Sequence, residues 1–333
     1  KTLTDVNSNN VLSLTVTDAS VTATDITTLK AAISSVTIDA SAVTTITGTV
    51  TEINAAIAAG TAPTNYSTTL SAGSEAATGI TTLAGVDGNG AVNASAVTTI
   101  TGTVTQINAA IAAAGTAPTN YSTTLSAGSE AATAITTLAG ADGNGAVNAS
   151  AVTTITGTVT EINAAIAAAG TAPTNYSTTL SAGSEAATGI TTLAGVDGNG
   201  AVNASAVTTI TGTVTQINAA IAAAGTAPTN YSTTLSAGSE AATAITTLAG
   251  VDGTGAIDAS AVTTITGTVT QINAAIAAAG TAPTDYDTTL SAGSEVATAI
   301  TTLAGVDGNG AVDASAVTTI TGTVKQINAA IAA

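Results

Sequence analysis

The sequence predicts an α/β fold: a repeat solenoid of 55-residue units, each unit two short β–α units with parallel strands. Three observations carry this expectation. The segment VDGNG stands at 86–90, 196–200 and 306–310, ADGNG at 141–145 and VDGTG at 251–255, so one block recurs every 55 residues. A period in that range marks an array whose units bury their apolar faces against their neighbours. Within each block, stretches rich in Thr, Val and Tyr alternate with Ala-rich stretches of helical spacing. Short strands joined by helices pair in parallel.

The elements follow in order. Residues 1–42 form a diverged first unit: VLSLTVTDAS reads as a strand and TATDITTLKAAIS as a capped helix, with no DGNG loop before IDASAVTTITG. Atypical terminal repeats cap arrays, so 1–42 is expected to be an N-terminal capping repeat. Residues 43–333 are expected to be tandem repeats in one continuous array. That array reads as truncated at the C-terminus, since the last copy stops mid-motif at Ala333.

The copy from Tyr121 to Asn175 serves for the rest. Tyr121–Ser126 is expected as a strand. Ser129 is expected to cap a short helix that turns Ala132, Ile135 and Leu138 inward and ends at Gly140. The loop ADGNG follows. Ala146–Ile155 is expected as a second strand, although the three-residue spacing of Val152 and Ile155 also suits a helical turn ended by Gly157. Thr158 and Glu161 then form an S/T-x-x-E capping box. Val159, Ile162, Ile166 and Ala169 share one face of the second helix. Gly170 is expected at C′, and Pro173 lies beyond it. Gln106, Gln216 and Gln271 replace the Glu in other copies, which keeps the cap geometry without the charge.

Composition excludes several function classes. The chain has no Cys, His, Met, Trp or Phe, three Lys and no Arg, and 20 acids, for a net charge of −17. Without Cys or His there is no zinc site of the usual kind and no Ser–His or Cys–His nucleophile. Without basic patches it binds neither nucleic acid nor an anionic membrane surface. No apolar run is long enough to span a bilayer, and KTLTDVNSNN lacks the apolar core of a secretory leader. Disorder is excluded by 45% hydrophobic and 7% charged residues. The absence of Cys fits an exported bacterial protein.

Candidate ligand residues cluster around the loop: Asp87, Asn89, Asn93, Asp142, Asp197, Asp252, Asp258, Asp307, Asn309 and Asp313. Oxygen ligands alternating around a Gly-rich turn suit weak calcium binding, in the range of about 10⁻⁴–10⁻³ M. The same Asp-Gly and Asn-Gly pairs are also good tight-turn residues. Asn65, Asn93, Asn120, Asn148, Asn175, Asn203 and Asn230 begin N-x-S patterns, which the last copies break with Asp285 and Asp313. Glu75, Glu130, Glu185, Glu240 and Glu295 stand near a helix start, where an acid complements the helix dipole. Glycosidase chemistry needs one special pair of acids, and here every acid recurs. Thr-x-Thr runs suit either β-structure and capping or an ordered-water, ice-binding face.

The segments VDASAVTTITGTV (312–324) and TGTVTEINAAIAA (47–59) resemble Thr/Ala-rich repeats of very large exported cyanobacterial cell-surface proteins. That resemblance implies a secreted or surface role in a layer, sheath or filament. The calcium-binding nonapeptide that often accompanies such repeats is missing here.

The expectation is therefore a non-enzymatic structural protein, extracellular or at the cell surface, that forms an extended rod by self-association. A calcium-dependent adhesin or ligand-binding stalk is the alternative, and an ice- or glycan-binding array the third. No cofactor other than calcium is indicated.

Overall fold

The structure, a computed structural model, describes residues 13–33, 36–60, 63–88 and 90–333. The chain divides into two compact units, Lys1–Thr153 with Ala164–Thr174, and Thr154–Asn163 with Asn175–Ala333. Each is an α/β solenoid of repeated β–α coils.

In the first unit, one 55-residue pass runs through the strands Ser67–Leu70 and Gly73–Ala76, the helix Ala77–Val86, the strands Val92–Asn93 and Val97–Gly102, and the helix Val104–Ala113. The strand pairs are parallel: Glu75 lies opposite Ile100, Ile100 opposite Thr123, and Thr123 opposite Val147. Partners are thus 23–25 residues apart. Two coils share 55 residues, so each coil is slightly longer than one ladder step. The ladder therefore drifts along the coil, and after four strands it reaches the loop behind a helix, where Asn93 bridges Thr116 as the last rung. The Gly73–Ala76 strand starts the next sheet.

The second unit repeats this pattern. Gly183–Ala186, Val207–Gly212, Ser232–Leu235 and Ile257–Asp258 form one parallel sheet, and Gly238–Ala241, Val262–Gly267, Asp287–Leu290 and Val312–Asp313 the next.

The core is a stack of small aliphatic layers. In the second unit Leu180, Ala187, Ile190 and Leu193 from one coil, and Val207, Ile210, Val214, Ile217 and Ala220 from the next, are at most 1% exposed. Leu125 stands opposite Gly102, so a large side chain meets the residue with none. No described helix is long and apolar enough to cross a membrane.

Several expectations need correction. Of the two readings of SAVTTITG the strand holds, over Val152–Gly157, and the helical turn does not, because its β-branched residues lie in a parallel ladder. Ala146–Ile155 is not one strand: a turn at Asn148–Ser150 separates Val147–Asn148 from Val152–Gly157. Ser129 does not cap a helix. It lies in the strand Gly128–Ala131, and Ala131 leads into the helix with no side-chain cap. Gly140 lies inside that helix, Ala132–Ala141, rather than ending it. In the second helix the third inward residue is Ala165, at 1%, while Ile166 is half-buried. Gly170 is not a left-handed C′ cap; a Cβ there would stand 2.8 Å from Ala146 Cβ, so close packing selects it. The capping boxes are present as expected: Thr158 N–H donates to Glu161 Oε2 at 2.8 Å, and Glu161 N–H to Thr158 Oγ1 at 3.2 Å.

Candidate functional site

The loop after the first helix of each repeat is built by close backbone crossing. Gly88 has φ +74°, and a Cβ on it would stand 2.2 Å from Thr64 O. A Cβ on Gly90 would stand 1.6 Å from Tyr66 O. The loop therefore lies directly on the segment leading into the Ser67–Leu70 strand. Tyr66 N–H donates to Asp87 O at 3.2 Å, and Gly90 N–H to the same oxygen at 3.3 Å. The Gly spacing that suggested a ligand loop is what this crossing requires.

The Asp side chains of the loop point inward. Asp87, Asp142, Asp197, Asp252 and Asp307 are 1–2% exposed. Each carries at least one carboxylate oxygen without a hydrogen-bond partner; Asp142 and Asp307 carry two. Burial pushes all five carboxyls above the usual carboxylate range. The buried Tyr66, Tyr121, Tyr176, Tyr231 and Tyr286 are raised as well, first by burial and then by the neighbouring Asp charge. Tyr66 Oη donates to Val86 O at 3.4 Å.

The Asn93 position does something else. Asn93 Oδ1 accepts Ser95 N–H at 3.1 Å, and Asn148 and Asn203 do the same for Ser150 and Ser205. Asp258 and Asp313 accept Ser260 and Ser315 N–H at 3.0 and 2.9 Å. The Ser bonds hold both of those carboxyls below their usual range. Asn and Asp interchange here because the turn uses only the oxygen they share. The same holds at the N-x-S positions: Asn120 and Asn175 Oδ1 accept Asn144 and Asn199 N–H at 3.2 Å, and Asp285 accepts Asn309 N–H at 3.0 Å. The increasing acidity of the later copies thus preserves acceptors. Asn89 lies outside the described residues.

For a calcium ion, each loop offers one inward carboxylate, while the Asn93-type oxygen is committed to its turn. Among the described residues no three His, Cys, Asp or Glu side chains gather closely enough to hold a metal ion.

No family model matches the chain, and no curated protein is significantly similar to it. Any functional reading must therefore come from the geometry itself.

One further constellation escaped the sequence. Glu75, Glu130, Glu185, Glu240 and Glu295 are buried on strands and do not serve the helix that follows them. Each accepts the first N–H of the helix before it: Val50, Val104, Val159, Val214 and Val269 donate at 3.0–3.2 Å. The partners are 25 or 26 residues apart, so the bond ties one coil to the next. An anion there satisfies an orphan donor and complements the helix dipole. Burial raises Glu75, Glu130, Glu185 and Glu240, the Val N–H opposes this, and nearby Glu52 and Glu161 raise Glu75 and Glu185 further. The signal was a Glu at fixed phase in every repeat, but its partner lies outside any local motif.

Proposed function

We propose that this chain is a non-enzymatic structural protein of the cell surface or extracellular space, whose repeats supply length and a recurring surface. The observation that carries this reading is the joint between coils: the same Val N–H to Glu bond is built five times. The buried Asp–Tyr pair recurs in step, five times. Polar chemistry is thus spent on holding each coil to its neighbour. Immunogold electron microscopy of the native cells tests the location. Label on the outer surface or in extracellular material is the expected result; label confined to the cell interior overturns it.

A calcium-dependent adhesin or ligand-binding stalk is the second reading. The unpartnered carboxylate oxygens at Asp142 and Asp307 favour it. Calorimetric titration with calcium, on the native chain and on Asp142→Asn with Asp307→Asn, decides this reading. Heat lost in the double variant supports it, and a blank titration of the native chain removes it.

A further inference from the structure

The outer surface of the inner repeats carries almost no charge. Between residues 53 and 153 the acids are Glu75, Asp87, Glu130 and Asp142, and all four are at most 7% exposed. No Lys lies in that span. Its aromatic rings, Tyr66 and Tyr121, are buried as well. What faces solvent there is hydroxyl, amide and small apolar groups.

Two small pockets open on the outer surface, at the same place in the first and fifth copies of the Tyr motif. One, of about 250 Å³, is lined by Thr44, Asn65, Tyr66, Ser67 and Gly90. The other, of about 240 Å³, is lined by Thr263, Asp285, Tyr286, Asp287, Asn309 and Gly310. The register makes them equivalent: Thr45, next to Thr44, lies opposite Ser67 as Thr264 lies opposite Asp287. Three successive coils build each pocket, one through the Thr, one through the strand entry at the Tyr, and one through the loop Gly.

The lining excludes most classes of ligand. In the copies with Asn and Ser an anion finds no cationic partner, and a cation finds no exposed carboxylate. An apolar ligand finds one Tyr ring, 2% exposed at Tyr66, in place of the broad apolar wall such sites present. What remains is neutral hydrogen bonding in both directions. Ser67 Oγ accepts Ala91 N–H at 3.4 Å and keeps its own O–H to donate. In the next copy Asn120 Oδ1 accepts Asn144 N–H at 3.2 Å, and an Asn bonded through its oxygen keeps two amide N–H donors. A sugar hydroxyl likewise donates and accepts. The volume lies below the roughly 300–1,000 Å³ of sites for drug-sized ligands, so one pocket takes one ring. In the fifth copy Asp285 and Asp287 accept Asn309 and Ala311 N–H at 3.0 and 2.9 Å and offer acceptors alone.

We propose that these pockets bind a neutral polysaccharide, one sugar ring to each repeat, with the Ser hydroxyl and the Asn amide as the recognising groups. Within each unit the same residues recur: Thr98, Asn120 and Ser122 in the first, Thr208, Asn230 and Ser232 in the second. Equivalent pockets are two coils apart, about 10 Å at one strand spacing of about 4.7–4.9 Å per coil. A single shallow pocket holds its ring weakly. A polymer that engages several gains by effective concentration, and linked sites exceed single ones by about 10²–10⁴. The proposal goes beyond the structural reading above and does not depend on where the protein resides.

Affinity electrophoresis of the full chain tests it, in gels containing a neutral glucan, mannan or galactan, with dextran sulfate as the charged control. Retardation by at least one neutral polymer and none by dextran sulfate is the expected result. The monosaccharide of that polymer should compete only at concentrations about 100-fold or more above those of the polymer, by the same avidity. Ser67→Ala, Ser122→Ala, Ser177→Ala and Ser232→Ala, made together, remove the donating hydroxyls and should weaken retardation at least tenfold while the melting curve stays unchanged. If that variant melts early, the competition on the native chain still decides. No retardation by any of the three neutral polymers overturns the proposal. Retardation unchanged in the folded variant overturns it too, as does a monosaccharide that competes as well as the polymer. Binding confined to a glycoprotein with short neutral glycans also overturns it, since the ligand is then no polymer. Each of these failures leaves the structural reading standing, and that reading fails separately, by the location of the native protein.

Discussion

The two helices of a repeat are entered in different ways. The Val159–Ala168 helix begins at Thr158, with a complete capping box, and receives a third acceptor from Glu185 in the next coil. The Ala187–Val196 helix begins directly from a strand at Ala186 and has no side-chain cap. Its inward residues are nevertheless just as buried: Ala187, Ile190 and Leu193 are at most 1% exposed. Packing, rather than a side-chain cap, fixes the start of the Ala187–Val196 helix. The Val159–Ala168 helix concentrates its polar groups at its start because that end is the joint between coils. Local caps therefore mark where the array is joined, rather than where helix formation needs help.

The largest effect should come from the loop that closes the uncapped helix. Gly200→Ala places a Cβ 1.7 Å from Tyr176 O, so the backbone crossing must open. We expect a loss of about 4 kcal/mol or more, read as lost hydrogen-exchange protection in the Ala187–Val196 helix. A variant with native protection would show that the crossing is not required.

The inter-coil joint comes next. Glu185→Ala strands Val159 N–H in a buried place, at a cost of about 1–3 kcal/mol. Glu185→Gln keeps an acceptor oxygen and should cost much less in denaturant melts. Equal losses from the two would mean that charge, not the bond, matters at this position.

The caps sharpen the comparison at a smaller scale. Thr158→Ala should cost about 0.5–2 kcal/mol, while Ser184→Ala, at the entry to the uncapped helix, should stay within about 0.5 kcal/mol. A larger loss at Ser184 would restore the cap that the sequence suggested for this class of Ser.

The smallest effect is one of pH. The folded carboxyls of Asp197 and Glu185 lie above their usual values, so the folded state holds those protons more tightly than the unfolded state. This contribution to stability is present below the unfolded value, about 4. It is lost as pH rises from there through the raised folded value. Asp258 and Asp313, which are lowered, act in the opposite sense. Asp197→Asn should therefore raise the melting temperature at pH 7 and reduce its fall between pH 4 and pH 7. A native chain that melts higher at pH 7 than at pH 4, with no change in the variant, would contradict the inward placement of this carboxyl.

Much of the fold was legible because it is written locally. The period, the β–α alternation and the Thr158–Glu161 box each lie within a few residues of sequence. What was hidden depends on contacts across coils. Glu185 reads as a dipole partner of the following helix, but it serves the helix before it. Gly170 reads as a left-handed cap, but it is a Gly because Ala146 leaves no room for a Cβ. Ser129 was assigned a cap because Ser commonly caps, whereas the chain there is still in a strand. The direction of the acidic loop side chains was hidden as well, because sequence shows residue type and not direction. Asp142 faces inward, and Asn148 is bonded to its own turn.

The central claim is that one repeat is an interchangeable structural unit. Deleting residues 177–231, which lie within the second unit, joins Tyr176 to Ser232 and leaves the sequence at the junction unchanged. The measurement is small-angle scattering of the deleted chain beside the native one, with circular dichroism of both. The account predicts the same ellipticity per residue, a cooperative melt and a smaller particle of the same scattering character. Loss of ellipticity across the remaining repeats would contradict it, since the missing block would then have supplied something its copies do not.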